Sequence, residues 1–382
     1  MNGFTVGEIA IGMNGSMLDE KPSGVGVYSF NLINNLAGMT NLTVFTPSRV
    51  SLDAGIKIVK LPNLLQSSKY GKLAAFSRFV WNAVAYPFQA RSFDLLISPT
   101  THGSILSDNQ IITVHDLISL RYTNISFHQR LYFKYFLPLL LKRSKLIIAV
   151  SESTKRDILH YFKCPEGKVK VIYNGYDHLS YYPIRKKERN IYKEYGQENY
   201  LLAIGPTYAH KNFETLIRAY GELPVVFRDR HPLVIAGGKE PYLGSLKKVV
   251  RALHLERRII FLGYVPIVLM PSLYREAFLL VFPSLYEGFG IPLLEAMASG
   301  CPVVVSNTSS MPEVCGDAVL YFDPLDSSAL SSSISRIIGD TRLREDLVEK
   351  GIRRAREFSW HRMACSFNTL IEQYFANKQL NN

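Results

Sequence analysis

The chain has 382 residues, 47% hydrophobic and 12% aromatic, with a net charge of +12. That length fits two domains of ordinary size, each with its own core. The four cysteines, Cys164, Cys301, Cys315 and Cys365, are scattered, which excludes a disulfide framework or a paired-cysteine metal site and fits a reducing cytosol. A basic leader with an apolar core is not found, nor is a run of about 18 apolar residues, so neither a secretory signal nor a spanning helix is expected.

Taken in order, Phe4 to Ile11 reads as a strand. Gly24-Val25-Gly26, after Ser23, then precede a helical pattern through Phe30, Leu32, Ile33 and Leu36. Leu42 to Thr46, Asp94 to Ser98 and Gln110 to Val114 read as strands, the last ending at His115-Asp116. Leu146 to Val150 is another, and Ser151 is a good N-cap for a helix over Glu152 to Phe162. Lys170 to Tyr173 closes the set at Asn174-Gly175. The polar segment from Tyr181 to Asn199, with Pro183, reads as a linker between a domain over 1–180 and one over 200–360. The second domain repeats the alternation. Strands are expected over Tyr200 to Ile204, Leu233 to Ala236, Ile259 to Leu262, Leu279 to Phe282, Pro302 to Ser306 and Val319 to Phe322, with a helix from Asn212 to Tyr220. Strands alternating with helices predict an α/β chain of two Rossmann-like domains with parallel sheets. Ligands of such sheets bind at the carboxyl ends of the strands, so two facing domains would line one interdomain cleft.

The charge is uneven. Residues 1–180 hold 19 Lys/Arg against 11 Asp/Glu. Two stretches there mix cations with large apolar residues: Lys69 through Lys72, Phe76, Arg78, Phe79 and Trp81, and Arg121 through Phe127, Arg130, Tyr132, Lys134 and Tyr135 to Lys145. Three readings are open: amphipathic helices with a solvated basic face, a seat on an anionic membrane surface, or nucleic-acid binding. No zinc spacing or RNA-binding aromatic motif supports the third, so nucleic acid is not expected as a partner.

The most informative stretch is Tyr286-Glu287-Gly288-Phe289-Gly290-Ile291-Pro292-Leu293-Leu294-Glu295-Ala296-Met297-Ala298. An apolar strand ends at Pro283, two glycines free the backbone for a turn, and Pro292 suits a first helical turn. Unpaired N–H groups at a helix start favour phosphate. Carboxylates have no reason to approach phosphate, but they accept well from sugar hydroxyls. Together they suggest a ligand with phosphate and polyol, a nucleotide-sugar.

With Pro283-Ser284 before it and Gly300-Cys301-Pro302-Val303-Val304 after it, Glu287-x7-Glu295 resembles the signature of retaining GT-B glycosyltransferases of the family 4, group 1 type. The resemblance covers nearly the whole chain and is most specific in the C-terminal half. It implies that Glu287 and the N–H groups of Gly288, Phe289 and Gly290 hold the sugar while Glu295 bonds the ribose. Gly205-Pro206-Thr207-Tyr208-Ala209-His210-Lys211-Asn212 resembles the phosphate-binding segment, with Lys211 on the donor diphosphate. His210 stands where Arg is common, and Pro206 where another Arg is often found, so Lys239, after Gly237-Gly238, is a candidate to complete the clamp. Gly24 and Gly26 resemble the N-terminal glycine loop near the donor phosphate. His115 and Asp116 resemble the strand-end pair beside the transferred sugar, which makes His115 a catalytic candidate with Glu287 and Lys211. Ser151 lines the acceptor side or simply caps its helix. The resemblance implies that Gly263-Tyr264-Val265-Pro266 presents backbone to the base, with Val265 as the donor-binding position. It also implies that the terminal region 361–382, with a helix near Met363 to Phe375, crosses back to the N-terminal domain.

The activity implied is retaining, metal-independent transfer of a hexose from a GDP- or UDP-linked donor to a glycan or lipid-linked saccharide in bacterial surface polysaccharide synthesis. The expected place is the cytoplasm, or the inner face of the cell membrane. No cofactor is expected, the nucleotide-sugar being a substrate. Two other readings stay open: a nucleotide-sugar epimerase of similar build, which needs no acceptor, and a non-catalytic sugar-binding subunit.

Overall fold

The computed structural model describes residues 9–20, 24–48, 50–122, 127–183 and 199–380. The chain forms two α/β units: unit 1 is residues 1–175 with 360–382, and unit 2 is residues 176–359. Both sheets are parallel throughout.

Unit 1 holds β1 (Ala10–Asn14), β2 (Asn41–Thr46), β3 (Lys57–Lys60), β4 (Leu95–Ser98), β5 (Gln110–Val114), β6 (Leu146–Ala149) and β7 (Val169–Val171), in the spatial order β3-β2-β1-β4-β5-β6-β7. β4 and β5 are buried at every position, as largely apolar strands covered on both faces should be. β3 was not legible in the sequence: its Lys-Ile-Val-Lys is exposed throughout at the sheet edge, so no hydrophobic pattern marks it. Gly24-Val25-Gly26 is not a loop. It is the first turn of the helix Gly24–Leu36, because first-turn N–H groups need no partner inside the helix and glycine tolerates helical angles. Ser23 and most of the Phe4 to Ile11 strand lie outside the described residues. The terminal helix, Trp360–Leu380, is longer than expected and packs on Gly24–Leu36. Trp360, Met363, Ala364, Phe367, Ile371 and Phe375 are all buried, one stripe at helical spacing.

Unit 2 holds β8 (Leu201–Ile204), β9 (Leu233–Ala236), β10 (Ile259–Gly263), β11 (Leu279–Phe282), β12 (Val303–Ser306) and β13 (Leu320–Phe322), ordered β10-β9-β8-β11-β12-β13. Its core sets Leu201, Ala203, Ile235, Val281 and Val304 of the sheet against helical side chains that include Phe213, Leu216, Tyr220, Leu330 and Ile334. Each fully buried Leu, Ile or Phe contributes roughly 1.5–3 kcal/mol. The division between units falls at Gly175/Tyr176, earlier than residue 180, because Tyr176 to Pro183 is bound to unit 2: the Arg275 guanidinium donates to the Ser180 carbonyl at 2.8 Å and stacks 4.6 Å from the Tyr182 ring. Residues 184–198 of the expected linker lie outside the described residues.

Both sheets reverse winding once, between β1 and β4 and between β8 and β11. In open parallel sheets the crevice beyond the carboxyl ends at such a reversal is where ligands bind.

Candidate active site

The loops leaving β8 and β11 meet at the reversal point of unit 2. After β8 the chain turns at Gly205, with φ +83°, and passes through a short 3-10 turn, Ala209–Lys211, into the helix Phe213–Glu222. After β11 it runs through Pro283 to Gly290 into the helix Ile291–Ala298. Gly290 caps that helix at φ +98°, and Pro292 lies in its first turn. This is the strand, glycine turn and helix expected from the sequence. A side chain at 290 would also place its Cβ 2.9 Å from Leu293 Cδ1, so both angle and space call for glycine.

Three bonds tie the two loops together, and a fourth, from Asn212 to Pro324, ties them to the segment after β13. The Leu285 N–H donates to the His210 carbonyl at 2.8 Å. The Asn212 amide donates to the carbonyls of Pro283 and Pro324, at 3.1 and 2.8 Å. Lys211 Nζ donates to Glu287 Oε1 at 2.6 Å. The two catalytic candidates of unit 2, 76 positions apart in sequence, are thus an ion pair, with side chains 21% and 11% exposed. Partial burial removes much of the solvent screening that weakens a surface pair. Glu287 is held from behind by β12's loop. Ser309 Oγ donates to the Glu287 carbonyl at 2.6 Å and accepts from its N–H at 3.2 Å. Buried Ser310 Oγ bridges the carbonyls of Glu287 and Phe289, each at 3.0 Å. These serines were missed in the sequence, where only their position after a strand marked them.

His210 is not the first of a basic pair. Its ring is buried and stacks 5.8 Å from Tyr208, and burial next to the Lys211 charge pushes it down to about 4, so it is neutral near pH 7. Lys211 carries the cationic role in this turn alone. Lys239 is exposed, and its N–H donates to the Pro206 carbonyl, which keeps the Gly237-Gly238 turn beside the turn after β8. The Gly263 carbonyl accepts from the Gly237 N–H at 2.6 Å, so the Tyr264-Val265-Pro266 loop leaves from the same edge, with Val265 half-buried.

Glu295 lies in the helix Ile291–Ala298 and is clamped by two tyrosines. Tyr274, fully buried in the helix Met270–Glu276, donates to Oε2 at 2.9 Å, and Tyr181 donates as well. The two rings meet edge-on at 5.8 Å. Burial raises the Glu295 carboxyl to about 7, against the pull of the two hydroxyls. Neither tyrosine was singled out in the sequence, because no local pattern links positions 181, 274 and 295.

In unit 1 the candidates gather at the carboxyl ends of β1 and β5. His115 Nε2 donates to the Pro99 carbonyl at 2.8 Å, which leaves Nδ1 as the acceptor, and Tyr28 packs edge-on against the ring at 4.6 Å. Burial pushes this imidazole down to about 4. Tyr28 follows Gly26 by two positions, so the first turn of its helix and His115 are neighbours. Asp116 accepts from the Ile118 N–H at 3.1 Å, an Asx turn. Ser151 is fully buried, and its Oγ accepts from the Thr154 N–H at 3.0 Å, so it caps Glu152–Phe162 and offers no exposed atom to an acceptor. A polar set the sequence did not reveal lies beyond β1: Asn14 Nδ2 donates to Asn82 Oδ1 at 2.6 Å and to the His102 carbonyl at 2.7 Å.

Two parallel α/β units, with a cation and two carboxylates at the reversal point of the second, define a glycosyltransferase of the GT-B fold. Residues 184–354 match the model of "Glycosyl transferases group 1", and residues 22–178 match "Glycosyltransferase Family 4". The chain is 32% identical over 334 residues to the O-antigen chain mannosyltransferase RfbU of Salmonella typhimurium, covering 85% of this chain and 90% of that one. It is 31% identical over 374 residues to O-antigen chain mannosyltransferase B of Escherichia coli, covering 91% and 95%. A sucrose-phosphate synthase from Thermosynechococcus elongatus shares the fold, with TM-score 0.76 at 20% identity over 96% of this chain and 99% of that one. The protein belongs to the group 1, family 4 glycosyltransferases.

Proposed function

We propose that the protein transfers a hexosyl unit, mannose in the first instance, from a nucleoside-diphosphate sugar to a saccharide acceptor, free or lipid-linked, during assembly of a bacterial surface polysaccharide. The observation that carries this reading is the Lys211–Glu287 pair, fixed at the carboxyl edge of the β8–β11 reversal and beside the helix start at Gly290. The mannosyltransferase names of two relatives that match most of the chain support the sugar.

In this reading Lys211 and the N–H groups at the start of Ile291–Ala298 receive the diphosphate, and Glu287 and the loop N–H groups hold the hexose. Glu295 accepts from the ribose hydroxyls. As the bond from the anomeric carbon to the phosphate oxygen breaks, positive charge grows on the ring and negative charge on the diphosphate. Lys211 meets that negative charge without a metal. The acceptor oxygen forms the new bond on the face the diphosphate leaves, its proton passes to a phosphate oxygen, and the anomeric configuration is retained. His115, neutral and with Nδ1 left as an acceptor, is the acceptor-side candidate carried by unit 1.

The test is transfer from GDP-mannose, UDP-glucose and UDP-galactose to a panel of oligosaccharides, with and without a chelator. Chelator-resistant transfer of mannose with the anomeric configuration kept is the expected result. Isomerised donor without acceptor would establish epimerase chemistry instead, and absence of both with intact nucleotide binding would leave the non-catalytic reading.

A further inference from the structure

Two helices of unit 1 are apolar on two faces. The first runs through Ser67–Val80, broken at Gly71 with φ +52°, and a π turn at Trp81–Ala85 to Tyr86–Gln89. It buries Ala74, Trp81, Asn82 and Tyr86 in the unit, yet leaves a second apolar line in solvent: Leu73, Phe76, Val80, Val84 and Phe88, spaced three or four apart. The second runs through Phe127–Leu131, a π turn at Tyr132–Phe136 and Leu137–Arg143. It buries Leu137, Leu140 and Leu141 and exposes Phe127, Leu131, Tyr135 and Leu139, each four apart. The most open of these, Phe127 at 66%, Phe76 at 65% and Tyr135 at 60%, gain nothing from the core. The helices touch along an apolar seam, Phe79 lying 5.0 Å from Phe136 and 6.3 Å from Tyr132. Phe76 and Val80 adjoin Phe79, and Leu131 and Tyr135 each precede a seam residue by one position.

The charges on the helices themselves have one sign. Neither helix contains an Asp or Glu, while Lys69, Lys72, Arg130, Lys134, Lys142 and Arg143 are all exposed; Asp108 lies beside Phe88 and Arg91, and Asp19 accepts from the Ser68 N–H at 2.9 Å. Two cations sit on exposed rings: Arg91 is 4.3 Å from the Phe88 ring centre and Lys134 5.2 Å from that of Tyr135. An aromatic ring with a cation over its face matches the boundary of a bilayer, where the ring enters the acyl region and the cation meets phosphate. A second copy is a poor occupant, because a two-fold contact would set the exposed cations of these helices against themselves.

We propose that the paired helices 67–89 and 127–143 are a docking face for an anionic lipid bilayer, with Phe76, Phe88, Phe127 and Tyr135 as inserted anchors. No helix among the described residues is long and apolar enough to cross a membrane, so the attachment is peripheral. Binding at this face does not depend on which sugar or nucleotide the enzyme uses.

The experiment is flotation of the full chain with vesicles of phosphatidylethanolamine containing about 30 mol% phosphatidylglycerol, and with pure phosphatidylcholine. The protein should float with the anionic vesicles at low salt, and raising salt from about 0.05 to about 0.5 M should weaken partitioning by about tenfold or more through screening. Two variant sets should each lower partitioning by about tenfold or more: Phe76→Ser with Phe88→Ser and Phe127→Ser, and Lys69→Glu with Lys72→Glu and Lys134→Glu. Melting temperature and nucleotide binding should be unchanged in both, so that a folding defect is recognised. Wild-type protein that stays unbound at low salt, or variants that float as well as wild type, overturn the proposal. So does a dimer in sedimentation that the phenylalanine variants dissolve, which would assign the face to a second copy.

Discussion

Tyr274→Phe isolates the clamp on Glu295. The ring stays, so the fully buried site opens no cavity, and only the hydroxyl that donates to Oε2 at 2.9 Å is lost. A hydrogen bond to a charged acceptor is worth about 1.5–3 kcal/mol, and one pKa unit is about 1.4 kcal/mol. Without it the Glu295 carboxyl, already raised from 4.5 to about 7 by burial, rises by roughly one to two units more. The other titratable groups around it hold their state over this range. Tyr181 and Tyr274 are pushed well above the usual phenol value by burial, and the buried Cys301 thiol is pushed up to about 12. Asp177, whose charge also raises Glu295, is the remaining acid nearby.

If the ionised carboxylate is what accepts the ribose hydroxyls, the ionised fraction at pH 7 falls from about half to between a tenth and a hundredth. Affinity for a nucleoside diphosphate should then drop by about 5- to 50-fold at pH 7 and recover toward pH 9. Titration calorimetry from pH 6 to pH 9 reads this as an upward move of the inflection. Glu295→Gln is the control, since it keeps the titration of the diphosphate and removes that of the carboxyl. A variant inflection that coincides with wild type, or a Glu295→Gln profile identical to wild type, would refute the reasoning. The same raised carboxyl makes a stability statement. The folded protein holds a proton between about 4.5 and 7 that the unfolded chain releases, so stability present below 4.5 is lost as pH rises through 7, by about 3 kcal/mol.

Lys211→Met should lower turnover by about 10²–10³-fold, as expected when a charge aimed at a departing anion is removed, and should leave Glu287 Oε1 without its partner. Near-normal kcat with a good acceptor would disprove the assignment. Gly290→Ala should destabilise the protein by about 1–3 kcal/mol, from a positive φ and the close approach to Leu293, and should weaken donor binding; an unchanged melting temperature would show that the turn relaxes freely. The imidazoles of His102, His115 and His210 are each pushed down to about 4 by burial, so they stay neutral in the fold while the unfolded chain takes up protons below about 6.5. Their contribution is present above pH 6.5 and lost as pH falls toward 4. The His115 ring signal in an NMR titration should be flat from about pH 5.5 to 8, and a midpoint near 6.5 would contradict the buried, singly bonded ring.

The parallel strands and the turn at Gly290 could be read from residue order, while the assignment of Lys211 and Glu287 to one site rested on the family resemblance. Apolar runs such as Leu279 to Phe282 bury both faces, glycines mark the turns, and a strand-to-helix turn places its own residues at a strand end. These are local relations, set within about ten positions of chain. Edge strand β3 escaped because exposed Lys57–Lys60 has no pattern to read, and Gly24-Val25-Gly26 was taken as a loop because glycine serves a helix start and a turn equally well. Long-range partnership was the work of the three-dimensional chain. That Lys211 and Glu287 form an ion pair, that Ser309 and Ser310 brace the loop, that His210 is neutral and that Tyr181 and Tyr274 converge on Glu295 follows from which loops a six-stranded sheet brings side by side. Burial and charge state depend on what the rest of the chain excludes from water, and no single segment carries that information.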